Sequence, residues 1–274
     1  MIRVWYHNGC NDGFGAAFVA WKAMGNSQDI TYVPVKYGES MPQFSSRDRI
    51  YILDFSYPRE NIEDLLSYNT RVTILDHHKT SEEALRGLDC ATFDMNKSGA
   101  MLAWEHFFPT IEAPSLIKYI QDRDLWKFKL PDSKALSLAL MGVPFNFETW
   151  DNLSPEKLIE IGKTLLEVQK QEIDKVIETG AYMTKMFGYT VPVINTSSDI
   201  SDTLHELCNR YPDSPFAAGY VYLPNGVRQW SLRSNNKIDV SELARRMNGG
   251  GHKSAAGFKT LRASHLNDVN PYLE

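Results

Sequence analysis

The first third of the chain alternates short apolar runs with segments of helical character. The runs are rich in β-branched and aromatic residues, which suit strands, and they occupy residues 2–6, 30–35, 49–54 and 72–75. The run at 72–75 is continuous rather than alternating, as expected of a strand covered on both faces of a parallel sheet. The alternation therefore predicts an α/β fold whose strands end at one edge of a parallel sheet.

The predicted strands stop at residues that can bind metals. His7 follows the first strand, Asp54 ends the third, and Asp76, His77 and His78 follow the fourth. Open α/β sheets hold ligands at the carboxyl ends of their strands, and carboxylates with imidazoles suit Mn²⁺, Fe²⁺ or Zn²⁺ better than Mg²⁺ or Ca²⁺. The triplet alone also fits a strand-end turn in which a histidine is held by local hydrogen bonds. Three such strand ends together favour a metal site.

Two other segments of the first half place polar groups among apolar residues. Ser98 precedes a predicted helix at 100–108 and is expected as its N-cap, with a phosphate contact as the alternative. The segment Asp122-Arg123-Asp124 interrupts an apolar stretch. It predicts either a local ion pair or a metal ligand, Asp122, with two charged neighbours.

The second half of the chain changes from one long helix to strands and hairpins. Apolar residues recur at helical spacing from Pro155 to about Gly180, which predicts a helix that connects two domains. Strands are predicted at 190–194, 216–223 and 227–232, and Pro224-Asn225-Gly226 predicts a hairpin between the last two. The predicted segments are a parallel-sheet metal-binding domain at 1–152, a connecting helix at 153–186, and a smaller α/β substrate-binding domain with a mixed sheet at 187–274.

A segment near the carboxyl end has the composition of an anion site. Three successive glycines precede two basic residues: Gly249, Gly250, Gly251, His252 and Lys253. Glycine amides can approach a phosphate closely, and Arg233, at the end of a predicted strand, adds a planar cation that pairs with phosphate oxygens. A flexible loop would explain the glycines alone, but the neighbouring basic residues favour an anion or nucleotide site.

Composition and charge limit the function classes. The chain has 274 residues, of which 43% are hydrophobic and 23% charged, as in an ordinary globular protein. A net charge of -5 argues against coating long nucleic acid, although a metal and local cations can hold short anionic substrates. The three cysteines include no CxxC pair, so neither a disulfide framework nor a zinc ribbon is predicted. No apolar run reaches the roughly 18 residues that span a bilayer, so we expect a cytoplasmic protein without a membrane partner.

Taken together, these motifs resemble the DHH phosphoesterase superfamily, which is named after a triplet like Asp76-His77-His78. The resemblance spans nearly the whole chain, because it includes the separate aspartate Asp54, the Asp-Arg-Asp segment, the Leu-Arg-Ser segment around Arg233 and the Gly-Gly-Gly-His segment. It implies a phosphoester hydrolase with two metals, usually Mn²⁺, whose active site lies in the cleft between the domains. Members include RecJ-like exonucleases, nano-RNases, cyclic-dinucleotide phosphodiesterases, and related pyrophosphatases and exopolyphosphatases.

The resemblance also implies a set of metal ligands. One metal would be held by His7, Asp12 and Asp54. The other would be held by Asp54, His77 and Asp122, so that Asp54 bridges the two.

The chain departs from the family in its first motif. The usual motif has a second aspartate two residues after the first, but here Phe14 occupies that position after Asp12. One carboxylate is therefore missing from the second metal. Three alternatives stay open: water replaces it, Asp124 replaces it, or the site binds that metal weakly. In the family, Asp76 orients the histidines rather than binding metal directly, and His78 lies beside the transferred phosphate.

The function predicted from these residues is metal-assisted hydrolysis of phosphodiester bonds in short oligonucleotides or nucleotides. The catalytic candidates are Asp54, Asp76 and His78. The predicted substrate-binding residues are Ser98, Arg233, Gly249, Gly250, Gly251, His252 and Lys253. The alternatives are a pyrophosphatase or exopolyphosphatase, and a nucleotide-binding protein without catalysis. Because no OB-fold accompanies the two domains, we expect a short single-stranded oligonucleotide, dinucleotide or nucleotide rather than long duplex, and a homo-oligomer stays open.

Overall fold

The structure of the protein, a computed structural model, describes residues 1–68, 71–224 and 226–261. It divides into two units, of which the first comprises Met1–Glu167 and the second begins at Val168. The division falls within the helix that we predicted as the connector, which runs from Pro155 to Gly180. The predicted bounds of the two domains and of the connecting segment stay predictions.

The first unit is built on a parallel sheet. Its strands are β1 (Ile2–His7), β2 (Ile30–Val35), β3 (Arg49–Leu53), β4 (Val72–Asp76) and β5 (Ala91–Phe93). They lie in the order β2-β1-β3-β4-β5, and each neighbouring pair is parallel. The predicted parallel sheet is therefore confirmed, and its strands share one carboxyl edge.

Helices pack on both faces of this sheet. They are α1 (Asn11–Met24), α2 (Arg59–Tyr68), α3 (Lys79–Leu85), α4 (Gly99–Phe107), α5 (Ser115–Asp124), α6 (Ser133–Met141) and α7 (Phe147–Asp151). Val4 and Leu53 belong to one core cluster with residues of α1 and α4. Their strand neighbours Trp5 and Ile52 point to the other face, where they pack with Ile62 of α2. Burial on both faces explains why the strands are continuous apolar runs.

Helix α1 begins earlier than its apolar run predicts. The run starts at Ala16, but the helix starts at Asn11. Cys10 caps it, because its Sγ accepts a hydrogen bond from the backbone N–H of Gly13 at 3.2 Å. Residues 11–15, which precede the apolar run, thus already belong to the helix, and its first turn carries Asp12.

The second unit contains a mixed sheet. After α8 (Pro155–Gly180), its elements are β6 (Tyr182–Met186), β7 (Tyr189–Asn195), α9 (Ile200–Arg210), β8 (Ala217–Tyr222), β9 (Val227–Arg233), α10 (Val240–Arg245), β10 (Gly250–His252) and β11 (Ala255–Leu261). The strand order is β10-β11-β9-β8-β7-β6. Strands β7 and β8 are parallel and the other pairs antiparallel, which confirms the predicted mixed sheet.

Strands β8 and β9 are antiparallel neighbours, as expected of the predicted hairpin. Of the residues predicted for its turn, Asn225 lies outside the described residues. None of the helices in the described part of the chain combines the length and the apolar character needed to cross a bilayer.

Candidate metal centre

Polar side chains meet at the carboxyl edge of the parallel sheet. His7 ends β1, Asp54 follows β3, and Asp76 ends β4 with His77 directly after it. The register of these three strands places their ends side by side. Asp54 has a φ of 62°, a left-handed conformation that residues other than glycine seldom adopt and that tends to occur at functional sites.

His77 lies among three carboxylates. Its Nε2 is 3.1 Å from Oδ1 of Asp54, and it is 3.5 Å from Oδ2 of Asp12 and from Oδ2 of Asp124. His77, Asp12 and Asp54 are at most 3% exposed. Because water screens such buried charges poorly, this group of carboxylates forms a strongly negative site.

The start of helix α4 fixes Asp12. The backbone N–H groups of Gly99 and Ala100 donate to the two carboxylate oxygens of Asp12, at 2.6 and 2.9 Å. Ser98 caps the helix by accepting from the N–H of Met101 at 3.3 Å. The predicted N-cap is thus observed, and the phosphate contact of Ser98 stays a prediction.

Gly99 occupies a position where no side chain fits. A Cβ on Gly99 would lie 2.5 Å from the Cβ of Asp54 and 2.6 Å from its Oδ1. The glycine therefore allows α4 to approach Asp54 closely while its amide binds Asp12. Sequence reasoning missed this role, because the residue in contact is 45 positions away along the chain.

Asp76 orients both histidines of the triplet. Its Oδ1 accepts from Nδ1 of His78 at 2.7 Å and from the backbone N–H of His77 at 2.7 Å. Its Oδ2 accepts from the hydroxyl of Ser56 at 2.8 Å. This arrangement agrees with the role that the resemblance implied for Asp76, which is to orient the histidines through hydrogen bonds rather than to bind metal directly.

The structure revises the prediction for Asp122. Its carboxylate oxygens accept hydrogen bonds from the backbone N–H groups of Lys129 and Leu130, at 2.9 and 3.1 Å, so Asp122 holds the turn after α5. Asp124, two residues later, reaches His77 instead. The guanidinium of Arg123 lies 4.2 Å from the ring centre of Trp126, a cation–π contact. We therefore replace Asp122 with Asp124 in the candidate ligand set.

Phe14 belongs to the core of the first unit. It is 2% exposed, and its ring lies 4.9 Å from that of Phe145, 5.0 Å from that of Phe147 and 4.7 Å from that of Trp150. Its position explains why the aspartate of the usual motif is absent here, since a carboxylate among these rings would be buried without a partner.

The charges of the metal-free cluster are strongly coupled. Burial and the carboxylates of Asp54 and Asp124 hold the pKa of Asp12 well above its usual value. Burial also opposes the charge of Asp54, but hydrogen bonds from His7 and His77 outweigh it and hold the pKa well below its usual value. For His77, the surrounding carboxylates outweigh burial and raise the pKa to about 10. Without a metal, a protonated imidazole therefore balances the carboxylates at neutral pH.

The donor set of this cluster fits divalent cations. The two oxygens of Asp54 face different partners, since Oδ2 is 3.4 Å from Nδ1 of His7 and Oδ1 is 3.1 Å from Nε2 of His77. A carboxylate with this orientation can bind one cation through each oxygen. Bound cations would replace the proton of His77 as the balancing positive charge.

A cavity of about 490 Å³ borders this cluster at the ends of β2, β3 and β4. This volume lies within the range of about 300–1,000 Å³ that is usual for small-molecule sites. Its lining includes the aromatic residues Tyr37, Phe55 and Tyr57. Tyr37 is 50% exposed as a residue, and its ring lies 5.2 Å from the ring of His7 and 5.9 Å from that of His78. An exposed aromatic side chain next to a candidate metal centre is suited to stacking a base.

The second unit aligns two of the predicted phosphate-binding residues. Ala255 of β11 pairs with Arg233 on one side and with His252 on the other. Residues in register point to the same face of a sheet, and two strand spacings separate the backbones of Arg233 and His252 by about 10 Å. Arg233 is 7% exposed. The register thus presents both side chains on one face.

The glycines of this region allow two strands to pack closely. A Cβ on Gly249 would lie 2.2 Å from the carbonyl oxygen of Gly257, and the N–H of Gly249 donates to the carbonyl of Ala244. Gly250 and Gly251 belong to β10, where they pair with β11. The N–H of Gly249 thus has a backbone partner, and the predicted phosphate-binding role of the three glycines stays a prediction. The side chain of Lys253 is exposed, and its binding role stays a prediction.

Comparisons with known proteins agree with this fold. The DHHA1 domain matches residues 184–272. The uncharacterized protein R106 of Acanthamoeba polyphaga mimivirus is 30% identical over 279 residues, which cover 93% of this chain and 66% of that protein. The oligoribonuclease NrnB of Bacillus subtilis is 26% identical over 293 residues, which cover 94% of this chain and 72% of NrnB. The chain thus spans about two thirds of the length of the R106 protein.

Solved structures share the fold. The exopolyphosphatase-related protein of Bacteroides fragilis has a TM-score of 0.57 and 15% identity to this chain. The alignment covers 98% of this chain and 88% of that protein. The pGpG-specific phosphodiesterase PggH of Vibrio cholerae has a TM-score of 0.51 at 13% identity and covers 95% of this chain and 94% of its own.

A parallel sheet with a buried aspartate and histidine cluster, followed along the chain by a mixed-sheet unit, defines a two-domain α/β protein with a candidate metal centre. With the DHHA1 domain and the Asp76-His77-His78 triplet at the end of β4, the chain belongs to the DHH phosphoesterase superfamily.

Proposed function

We propose that the protein is a metal-dependent hydrolase of phosphodiester bonds in short oligonucleotides or nucleotides. The observation that carries this proposal is the orientation of Asp54, whose two carboxylate oxygens face His7 and His77 separately. A shared carboxylate of this kind is what a pair of catalytic metals needs. The metals that we propose are two Mn²⁺ ions, because mixed imidazole and carboxylate ligands favour Mn²⁺ over Mg²⁺.

The ligands proposed for these metals differ from the predicted ones in two respects. Asp124 replaces Asp122, and Asp12, which lies 3.5 Å from His77, moves from the first metal to the second. His7 and Asp54 hold the first cation, and Asp12, Asp54, His77 and Asp124 hold the second. When bound, such cations activate a water molecule and stabilise the charge that develops on phosphoryl oxygens. The amides of Gly99 and Ala100 keep Asp12 in place for this task.

His78 is the proposed residue for proton transfer and phosphate binding. Its Nδ1 donates to Asp76, which places the remaining lone pair on Nε2. The charge of Asp76 outweighs burial and raises the pKa of His78. A protonated His78 can donate to a phosphoryl oxygen and release its proton to the leaving oxygen.

The second unit is proposed to bind a phosphate of the substrate. Arg233 and His252, which the register presents on one face, supply charge-assisted hydrogen bonds. The name of NrnB as an oligoribonuclease supports a short nucleic acid as the substrate. We further propose cleavage in the manner of an exonuclease and a cytoplasmic location, with no long duplex and no membrane as partner.

A pyrophosphatase or exopolyphosphatase is the second candidate, because the fold is shared with an exopolyphosphatase-related protein. Tyr37 is half-exposed, and its ring lies beside His7 and His78, which favours the nucleotide substrate. Phosphate chains have no ring to stack on it.

The test is a substrate panel with the full chain in Mn²⁺ after removal of other metals. The panel contains dinucleotides, longer single strands, a cyclic dinucleotide, 3′-phosphoadenosine 5′-phosphate, pyrophosphate and bis-p-nitrophenyl phosphate. We expect turnover of short nucleotides that is abolished by chelation and by Asp54→Ala, with the fold retained. Turnover of pyrophosphate alone would support the second candidate. Binding of nucleotides without turnover in any metal would establish the non-catalytic alternative.

A further inference from the structure

Cys10 lies within the candidate metal centre and has no assigned role in the ligand set above. Its Sγ is 3.5 Å from Nδ1 of His7 and 3.4 Å from Oδ2 of Asp54. The ligand atoms of these three residues all lie within 4.8 Å of one another. A nitrogen, a sulfur and an oxygen donor therefore converge on one point.

Helix capping does not by itself account for a cysteine at this position. The Sγ accepts the N–H of Gly13, but serine, threonine, asparagine and aspartate are the preferred caps, and sulfur is a weak acceptor. Burial and the carboxylates of Asp54 and Asp12 raise the pKa of the Cys10 thiol well above its usual value, so a thiolate at this position needs the positive charge of a bound cation.

The site is also accessible to an incoming ion. Cys10 is half-buried, and the side chain of His7 is 23% exposed, whereas that of Asp54 is 2% exposed. The partly exposed side chains of Cys10 and His7 therefore lie on the solvent side of the site, and the buried carboxylate of Asp54 lies on its inner side.

We propose that Cys10 is the third ligand of the cation that His7 and Asp54 hold, which makes this position a mixed nitrogen, sulfur and oxygen site. The inference rests on the proposed metal centre. Coordination would form a bond between sulfur and metal while the thiol proton leaves to solvent. Because thiolates are soft ligands, the site should favour Co²⁺, Zn²⁺ or Fe²⁺ over Mg²⁺ more strongly than a site of carboxylates and imidazole alone.

The test uses Co²⁺, whose bond to a thiolate produces a charge-transfer absorption band in the near ultraviolet. The metal-free full chain is titrated with Co²⁺ while absorption and binding heat are recorded. We expect the charge-transfer band to reach its full intensity when one of the two Co²⁺ sites is filled. Cys10→Ser retains a capping hydroxyl, so it should fold and bind Co²⁺ without the band and with at least about tenfold weaker affinity at this position.

Two variants complete the test. Cys90→Ser is the matched control, since Cys90 is also half-buried, and it should keep both the band and the affinity. Cys10→Asp supplies an oxygen donor instead of sulfur, so it should lose the band. Its preference for Mn²⁺ over Co²⁺ should be greater than that of the parent chain.

The outcomes separate this inference from the proposed function. Co²⁺ binding by the parent chain without a charge-transfer band, or a band that persists in Cys10→Ser, would overturn the role of Cys10 and leave the metal centre standing. If Co²⁺ and Mn²⁺ do not bind the parent chain at all, the metal centre fails, and the assignment of Cys10 fails with it.

Discussion

Gly99→Ala changes the metal centre without removing a ligand, so it tests the geometry directly. The added Cβ would lie 2.5 Å from the Cβ of Asp54, whereas carbon atoms normally approach to about 3.5–4.0 Å. Asp54 must therefore move by about 1 Å. A displacement of this size at a catalytic group can cost about 100-fold in rate, which corresponds to roughly 2.7 kcal/mol.

The assay is Mn²⁺-dependent hydrolysis of bis-p-nitrophenyl phosphate, together with Mn²⁺ binding by calorimetry. We expect the rate constant to fall about 100-fold and Mn²⁺ to bind more weakly. The N–H of residue 99 is retained, and alanine favours a helix over glycine by about 1 kcal/mol, so thermal unfolding should show that the fold survives.

Gly142→Ala is the matched control. Its added Cβ would meet only the carbonyl oxygen of Ala139 at 3.5 Å, an ordinary contact, and we expect unchanged activity. A folded Gly99→Ala protein with the activity and Mn²⁺ affinity of the parent chain would refute the role of the close approach between α4 and Asp54. A Gly99→Ala protein that unfolds would contradict the prediction of a local displacement.

Three further predictions concern other parts of the chain. Burial opposes the charge of Asp48, but hydrogen bonds from Arg3 and from the Ser45 amide outweigh it and lower the pKa of Asp48 to about 2. Asp48→Asn should therefore reduce the unfolding free energy by about 2 kcal/mol at pH 7. In urea unfolding, the difference in unfolding free energy between the parent chain and Asp48→Asn should shrink as the pH falls below about 4. A difference that does not depend on pH would contradict this prediction. Arg233→Ala should cost about 1.5–3 kcal/mol in kcat/KM on an oligonucleotide and little on bis-p-nitrophenyl phosphate, so equal losses on both would argue against phosphate binding. Tyr37→Ala should cost about 1–3 kcal/mol on a dinucleotide but not on pyrophosphate, and an unchanged dinucleotide rate would exclude base stacking.

The sequence by itself determined that the first sheet is parallel and the second mixed, although its apolar runs located only three of the six strands of the second sheet. It also predicted a site at the carboxyl edge of the first sheet. Continuous apolar runs predicted a buried parallel sheet, because such strands are covered on both faces. The strand ends at His7, Asp54 and Asp76 predicted a ligand site, because parallel strands share one carboxyl edge. These features are local or periodic, and they can therefore be recognised in a short stretch of chain.

Only the tertiary structure decided which neighbouring groups enter the site. Asp122 and Asp124 are two residues apart on α5, which separates their directions by about 200° around the helix, and the packing of that helix selects Asp124 for His77. Gly99 and Cys10 acquire their roles from contacts with Asp54, which is distant along the chain. Such choices depend on the positions of whole elements in space, and no pattern within a single segment contains that information.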